Sequence, residues 1–294
     1  MTIFLLKLLS FLPLWLLHVL SWLSYLLLFH VFKVRRKLTL KNIATSFPNY
    51  SEIECHELAK NHYKSTCTVI AETIKALSFS NQEIKNRVEF KNLHVLEEFL
   101  EKGQSAIIIT AHFCNFEWAL LACAQHLKYP VDTVYRKQKS NSLEKIFYYL
   151  RTRFDITPLP METCVAESLK RSKITRVLAM AADQSPKKND APYWQHFLNR
   201  DTAFHTGTEK ITRAFKYPII FMSLKRTRKG YYQATLKLLA EPPYTEEPNQ
   251  IMRAYVSELE TLILENPKDW LWAYRRWKIE KPIQDRHTQD EASV

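Results

Sequence analysis

Between Leu8 and Phe32 the chain runs 25 residues without a formal charge. Leu, Phe and Trp dominate this stretch, and His18 and His30 are its only groups that titrate near neutral pH. As one helix it would reach roughly 37 Å at 1.5 Å per residue, enough for a tilted bilayer crossing. Pro13 either begins that helix or kinks it. The apolar residues run all round the helix, which favours insertion over lying in the interface. No small-residue cleavage site follows, which argues against a removed signal peptide. KVRRKLTLK comes next. Its five basic residues between Lys33 and Lys41 outweigh Lys7 and the amino terminus, so the bulk of the chain is expected in the cytoplasm on a single-pass anchor.

Beyond the anchor the period alternates between helix and strand. Helical spacing covers 57–77 and 94–103, the second stopped by Gly103. IIIT, ending at Thr110, is a buried strand followed by a helix to about His126. VDTVYR (131–136) is a second strand, SLEKIFYYLRTRF a helix, ITPLP a short extended piece and RVLAMAAD (176–183) a third buried strand. A helix opens at Thr206-Gly207-Thr208. PIIFMSLKR and YYQATLKLLA form a hairpin about Gly230. A long helix closes at Asn266-Pro267. The expected architecture is α/β, a central mostly parallel sheet flanked by helices. The expected divisions are an anchor (1–32), one cytoplasmic domain (33–282) and a polar, disordered tail (283–294).

Composition narrows the chemistry. The formal charge is +12 and the pI about 9.4, which calls for an anionic partner. Five cysteines, an odd number with no C-x-x-C pair, argue against a disulfide framework and a metal site. Only Gly103, Gly207 and Gly230 are present, so no P-loop, G-x-G-x-x-G or G-x-S-x-G can be built.

The segment SAIIITAHFCNFEWALLACA (105–124) joins a strand to a helix, with His112, Asn115 and Glu117 at the seam. Residues five apart on one helix diverge by about 140°. His112 and Glu117 can therefore meet only if His112 lies in the turn. Asn115 as N-cap then sets Glu117 at the second helical position, where the helix dipole favours a carboxylate. A carboxylate on one ring nitrogen fixes the tautomer and leaves the other to act as base toward a substrate hydroxyl. The seam lies at the carboxyl end of a strand, where open α/β sheets bind ligands. Cys114 reads as a small buried residue rather than a reactive thiol.

AHFCNFEWA, VYRKQKSNSLEKIFYYLRTRF, MAADQSP, TAFHTGTEKITRAFKYPII and PKDWLWAYRRWK occur in order behind an anchor. Together they resemble the bacterial lipid A biosynthesis acyltransferase family, the late lauroyl and myristoyl transferases. The family's H-x4-D/E motif falls on His112 and Glu117. Cys114 and Asp155 stand where Gly is common, and Phe116 where Trp is common. The resemblance implies a glycerolipid-acyltransferase-like fold and a site at the bacterial inner membrane. It implies no cofactor, acyl carrier protein as acyl donor, and a phosphorylated membrane glycolipid with a free hydroxyl on a 3-hydroxyacyl chain as acceptor. In that scheme His112 is the base and Glu117 its orienting partner. Arg136, at the end of the second strand, would stabilise the oxyanion. Asn115, Arg151, Arg153, Asp183, Gln184, Lys187 and Lys188 would contact substrate, and Arg275 and Arg276 would face phosphates. Three alternatives stay open: another glycolipid or glycerolipid acceptor, a tethered thioesterase using the same pair, or an anchored binding module. The chain has no nucleic-acid-binding signature.

Overall fold

The computed structural model describes residues 2–187 and 190–282. Lys188 and the expected tail (283–294) lie outside the described residues. The amino-terminal run is not one helix. Helix α1 (Thr2–Ser10) stops ahead of Pro13, α2 (Leu14–Leu26) starts just after it, and a π-helical turn (Leu27–Val31) continues α2. Proline has no N–H to give to the preceding turn, so the ladder breaks there. Leu14–Val31 remains long and apolar enough to cross a membrane.

Helix α3 (Arg36–Ser46) leads into α4 (Glu52–Lys75). Helix α4 starts five residues earlier than its apolar period indicates, because Ser51 and Glu54 form a capping box. Then come α5 (Asn81–Arg87), β1 (Val88–Phe90), α6 (His94–Glu101), β2 (Ala106–Thr110), α7 (Phe116–His126), β3 (Val131–Tyr135), α8 (Asn141–Thr152), β4 (Ile156–Pro160), α9 (Cys164–Lys170) and β5 (Val177–Ala181). A hairpin, β6 (Tyr193–Phe197) and β7 (Arg200–Phe204), precedes α10 (Gly207–Phe215). The strands β8 (Ile219–Arg228) and β9 (Tyr231–Ala240), then α11 (Gln250–Glu265) and a 3-10 turn (Pro267–Asp269), complete the fold.

The main sheet has seven strands in the order β1-β9-β8-β2-β5-β3-β4. All neighbours are parallel except β8 and β9, the expected hairpin. Strand β2 lies at the centre and all five of its residues are buried, as a strand covered on both faces must be. The β6–β7 hairpin escapes a reading based on glycine. Its turn residues Leu198 and Asn199 both have positive φ, 49° and 63°, a type I′ geometry reached here without Gly.

The parallel register brings distant residues level. Thr110 of β2 pairs with Ala181 of β5. Two residues further along each strand stand His112 and Asp183, side by side at the carboxyl edge.

Candidate active site

His112 lies in the turn after β2, and Asn115 caps α7 as expected. The Asn115 Oδ1 accepts from the Trp118 N–H at 3.1 Å, which leaves Glu117 in the first turn. The expected hydrogen bond between His112 and Glu117 is replaced by two other pairs. His112 Nδ1 is 2.7 Å from Asp183 Oδ1. Glu117 accepts from Arg151 Nε and Nη2, at 2.8 and 2.9 Å, in a bidentate ion pair. The physical reason is the sheet order: β5 delivers a buried carboxylate to the ring, and α8 delivers a guanidinium to Glu117.

Asp183 is a fixed acceptor. Its Oδ1 also receives the His112 backbone N–H at 3.1 Å, and its Oδ2 receives the indole N–H of Trp270 at 3.0 Å. With Nδ1 donating to Asp183, the His112 Nε2 lone pair faces outward, 3.2 Å from the Gln184 amide nitrogen. Phe116 packs its ring 4.9 Å from the imidazole. Burial opposes the charged ring, but the Asp183 charge and hydrogen bond outweigh it, and the His112 pKa is raised. Burial likewise penalises the Asp183 carboxylate, yet its pairing with His112 holds its pKa below the ordinary value.

Two cavities meet at His112. One, about 490 Å³, is lined chiefly by apolar side chains, among them Leu6, Val69, Ile70, Ile74, Leu77 and Ile146. The other, about 460 Å³, carries Arg136, Lys137, Lys139, Arg151, Gln184 and His205. His112, Phe116, Glu117 and Phe147 line both.

The remaining expected site residues divide. Arg136, Arg151 and Gln184 line the basic cleft. Asn115 is wholly buried; its Nδ2 donates to Glu72 Oε2 at 2.9 Å, so both ends of the amide are engaged within the fold and Asn115 lines neither cavity. Arg153 caps α4, donating to the carbonyls of Ala76 and Phe79, and lines neither cavity. Asp183 is the ring partner of His112. Lys187 is exposed on its loop and lines neither cavity. Arg276 does not face outward: it is buried with its guanidinium 4.5 Å from the Phe204 ring centroid, and burial lowers its pKa to about 10. Arg275 is exposed.

Trp270 is the partner of Asp183 that the sequence hid. Its signal was present in WLWAYRRWK, but nothing in a linear pattern ties that tryptophan to Asp183. Its main chain bridges Phe113, and the neighbouring Asp269 carbonyl accepts the Cys114 N–H at 2.8 Å, so this segment clamps the seam from behind. Cys114 is buried, with its pKa pushed up to about 12 by desolvation, which keeps it a thiol. Cys114 and Asp155 both have positive φ, 52° and 61°. That explains why Gly is at home at both positions.

No individual curated protein matches the chain. The model of the bacterial lipid A biosynthesis acyltransferases matches residues 1–279, nearly the whole length. The sheet edge, the histidine and the two cavities are therefore those of a family member: this chain belongs to the bacterial lipid A biosynthesis acyltransferase family.

Proposed function

We propose that the protein moves a fatty acyl chain from an acyl carrier protein thioester to a hydroxyl on a lipid A precursor, with His112 as general base. One observation carries the reading: a histidine with a buried carboxylate on Nδ1 stands where an apolar cavity meets a basic cleft. The acyl chain enters the apolar cavity. The phosphorylated acceptor lies along Arg136, Lys137 and Lys139.

His112 Nε2 removes the hydroxyl proton while Asp183 stabilises the imidazolium that forms. The alkoxide oxygen bonds to the thioester carbonyl carbon, and the carbonyl electron pair moves onto oxygen. The amino end of α7 and Arg136 receive that negative charge. Collapse re-forms the carbonyl and expels the thiolate, which takes the proton back from His112. The products are an ester and a free thiol, and no cofactor takes part. Glu117 acts through Arg151, holding it in the cleft, and reaches the ring only through space. The α1–α2 segment holds the enzyme at the inner membrane with the sheet on the cytoplasmic side.

The test is direct. Purified protein with an acyl carrier protein thioester should acylate a phosphorylated lipid A precursor, and lipid A from a deletion strain should lose one acyl chain by mass spectrometry. An unchanged acyl count refutes the acceptor. Hydrolysis equally fast with and without acceptor refutes transfer in favour of a thioesterase.

A further inference from the structure

A second basic cavity, about 340 Å³, lies apart from His112, where α2 packs on the domain. Helix α2 contributes His18, Ser21 and Trp22, α4 contributes Lys64, and the far walls are Arg226, Lys229 and Lys268. Of the residues lining the apolar pocket at His112 it shares only Ser65, and it has none in common with the basic cleft. Among the described residues, four cations line it and no carboxylate does. The nearby acids are already engaged. Asp269, 3.8 Å from Arg226, accepts from Ser65; Glu72 is buried behind His18 and accepts from Tyr232, Asn115 and the Gly230 N–H. The Arg226 Nη2 reaches Ser65 at 3.0 Å, but its buried Nε has no hydrogen-bond partner among the described residues. Such a concentration of cations calls for an anion.

The surroundings say where that anion comes from. Helix α2 runs antiparallel to α4. His18 meets Glu72 at 3.1 Å, Lys64 sits 5.3 Å from the Tyr25 ring, and Phe29 packs 5.2 Å from Tyr63. Leu17, Ser21, Tyr25 and Phe29 are buried in this contact, one stripe at every fourth residue. The other faces leave Trp15, Val19, Trp22, Leu23 and Leu27 exposed. Trp22 belongs both to that apolar face and to the cavity wall. An indole at such a border suits the headgroup level of a bilayer.

We infer that this cavity binds the phosphate of an anionic membrane lipid, seating α2 in the plane of the interface against the domain. The apolar face of α2 covers the acyl chains while Arg226, Lys229 and Lys268 hold the phosphate. Attachment then combines apolar burial with charge.

The experiment is calorimetric titration of the full-length protein in a neutral detergent with dihexanoyl phosphatidylglycerol, dihexanoyl phosphatidylcholine or inorganic phosphate. The expected result is saturable phosphatidylglycerol binding, weaker for the other two. Each cation near a lipid phosphate is worth about fivefold. Lys229→Ala with Lys268→Ala, both exposed, should therefore weaken phosphatidylglycerol binding by roughly tenfold or more. Lys170→Ala with Lys173→Ala, at or just beyond the end of α9 on the β4 side, should leave it unchanged. Equal loss in both pairs, or no loss in the first, overturns the site. Inorganic phosphate binding as tightly as the lipid overturns its assignment to the membrane. Because the readout is binding, the result is independent of whether His112 catalyses acyl transfer.

Discussion

The two cavities that meet at His112 are nearly equal in volume, about 490 and 460 Å³, and share four residues. Their walls are otherwise opposites. One is made of Leu, Ile and Val side chains from α1, α4 and α8. The other carries three cations from the β3–α8 loop and Arg151 from α8. Apolar burial is worth about 0.8 kcal/mol per methylene, carries no direction and ignores salt. Charge acts at longer range, orients its partner and is screened. Under the proposed reaction, a substrate pair that is part hydrocarbon and part phosphate would be sorted by this contrast before any chemistry begins. Changes on the apolar side should alter which chain is used. Changes on the basic side should alter how readily substrate arrives. Changes at the shared boundary should stop turnover whatever the substrate.

The boundary gives the largest effect. His112→Ala should lower kcat about 10²- to 10⁴-fold, the usual range for positioned proton transfer, while thermal melting shows a folded protein. Near wild-type transfer by the folded variant would remove the general-base role. Asp183→Asn keeps the shape but removes the charge, so kcat should drop at least tenfold. The pH dependence has a definite sign. With His112 as the proposed base, the rate needs its neutral form; its pKa is raised, so activity should climb with pH through a value above the ordinary ~6.5. In Asp183→Asn that climb should move to lower pH. Stability runs the other way. Asp183 has a lowered pKa, so its contribution is present above its unfolded value and is lost as pH falls. His112 has a raised pKa, so its contribution is present below its unfolded value and is lost as pH rises through the folded one. The melting temperature that Asp183 adds should thus be greatest between about pH 4 and 6.5, on the acid side of the activity optimum.

Glu117 separates from Asp183 in the same assays. Removing one partner of a buried ion pair leaves the other uncompensated, at a cost of about 3–5 kcal/mol. Glu117→Ala should therefore lower the melting temperature more than Asp183→Asn does, and its kcat should fall less. The double variant Glu117→Ala with Arg151→Ala should recover part of the lost stability. An Asp183-like shift of the pH profile in Glu117→Ala would restore Glu117 as the orienting partner.

What could be read in advance followed the range of the physics. The strand into His112, the cap at Asn115 and the helix after it are local, and local pattern located them. The mostly parallel sheet followed from alternation of strand and helix. The partner of His112 did not, because it depends on β2 and β5 being neighbours although some seventy residues separate them. Asp183 was visible as a polar residue ending a buried strand, so its place at the edge was legible and its partner was not. Arg153 depends on distant contacts in the same way. A guanidinium near a motif looks like a ligand contact until the carbonyls ending α4 are seen to need a donor. Pro13, read as beginning or kinking the anchor helix, does begin α2, a local effect of the ring that hydropathy alone does not carry.

On the apolar side, Ile70 lines the cavity and is half exposed, so it can be enlarged without refilling the core. Ile70→Trp should shorten the preferred acyl chain. Each methylene excluded should change the preference about fourfold, following the transfer energy of one CH₂ group. The check is competition among acyl donors of graded length. An unaltered chain profile, with only a general loss of rate, would mean that the chain lies elsewhere. This variant should respond no differently to salt than the wild type.

The smallest expected effect belongs to the basic side. Lys137 and Lys139 are exposed in the β3–α8 loop, and exposed charges act weakly, about 0–1 kcal/mol each. Reversing both, Lys137→Glu with Lys139→Glu, should raise KM for the phosphorylated acceptor several-fold at low ionic strength, with kcat little changed. At 0.15 M salt the Debye length is about 8 Å, and near 1 M about 3 Å, so variant and wild type should converge as salt is added. That convergence is what separates a steering role from a contact made in the transition state, because a buried contact would be screened little. If the defect persists at high salt, or appears in kcat, these lysines touch the reacting substrate directly. If Ile70→Trp shows the same salt response, the division of labour between the two cavities is wrong.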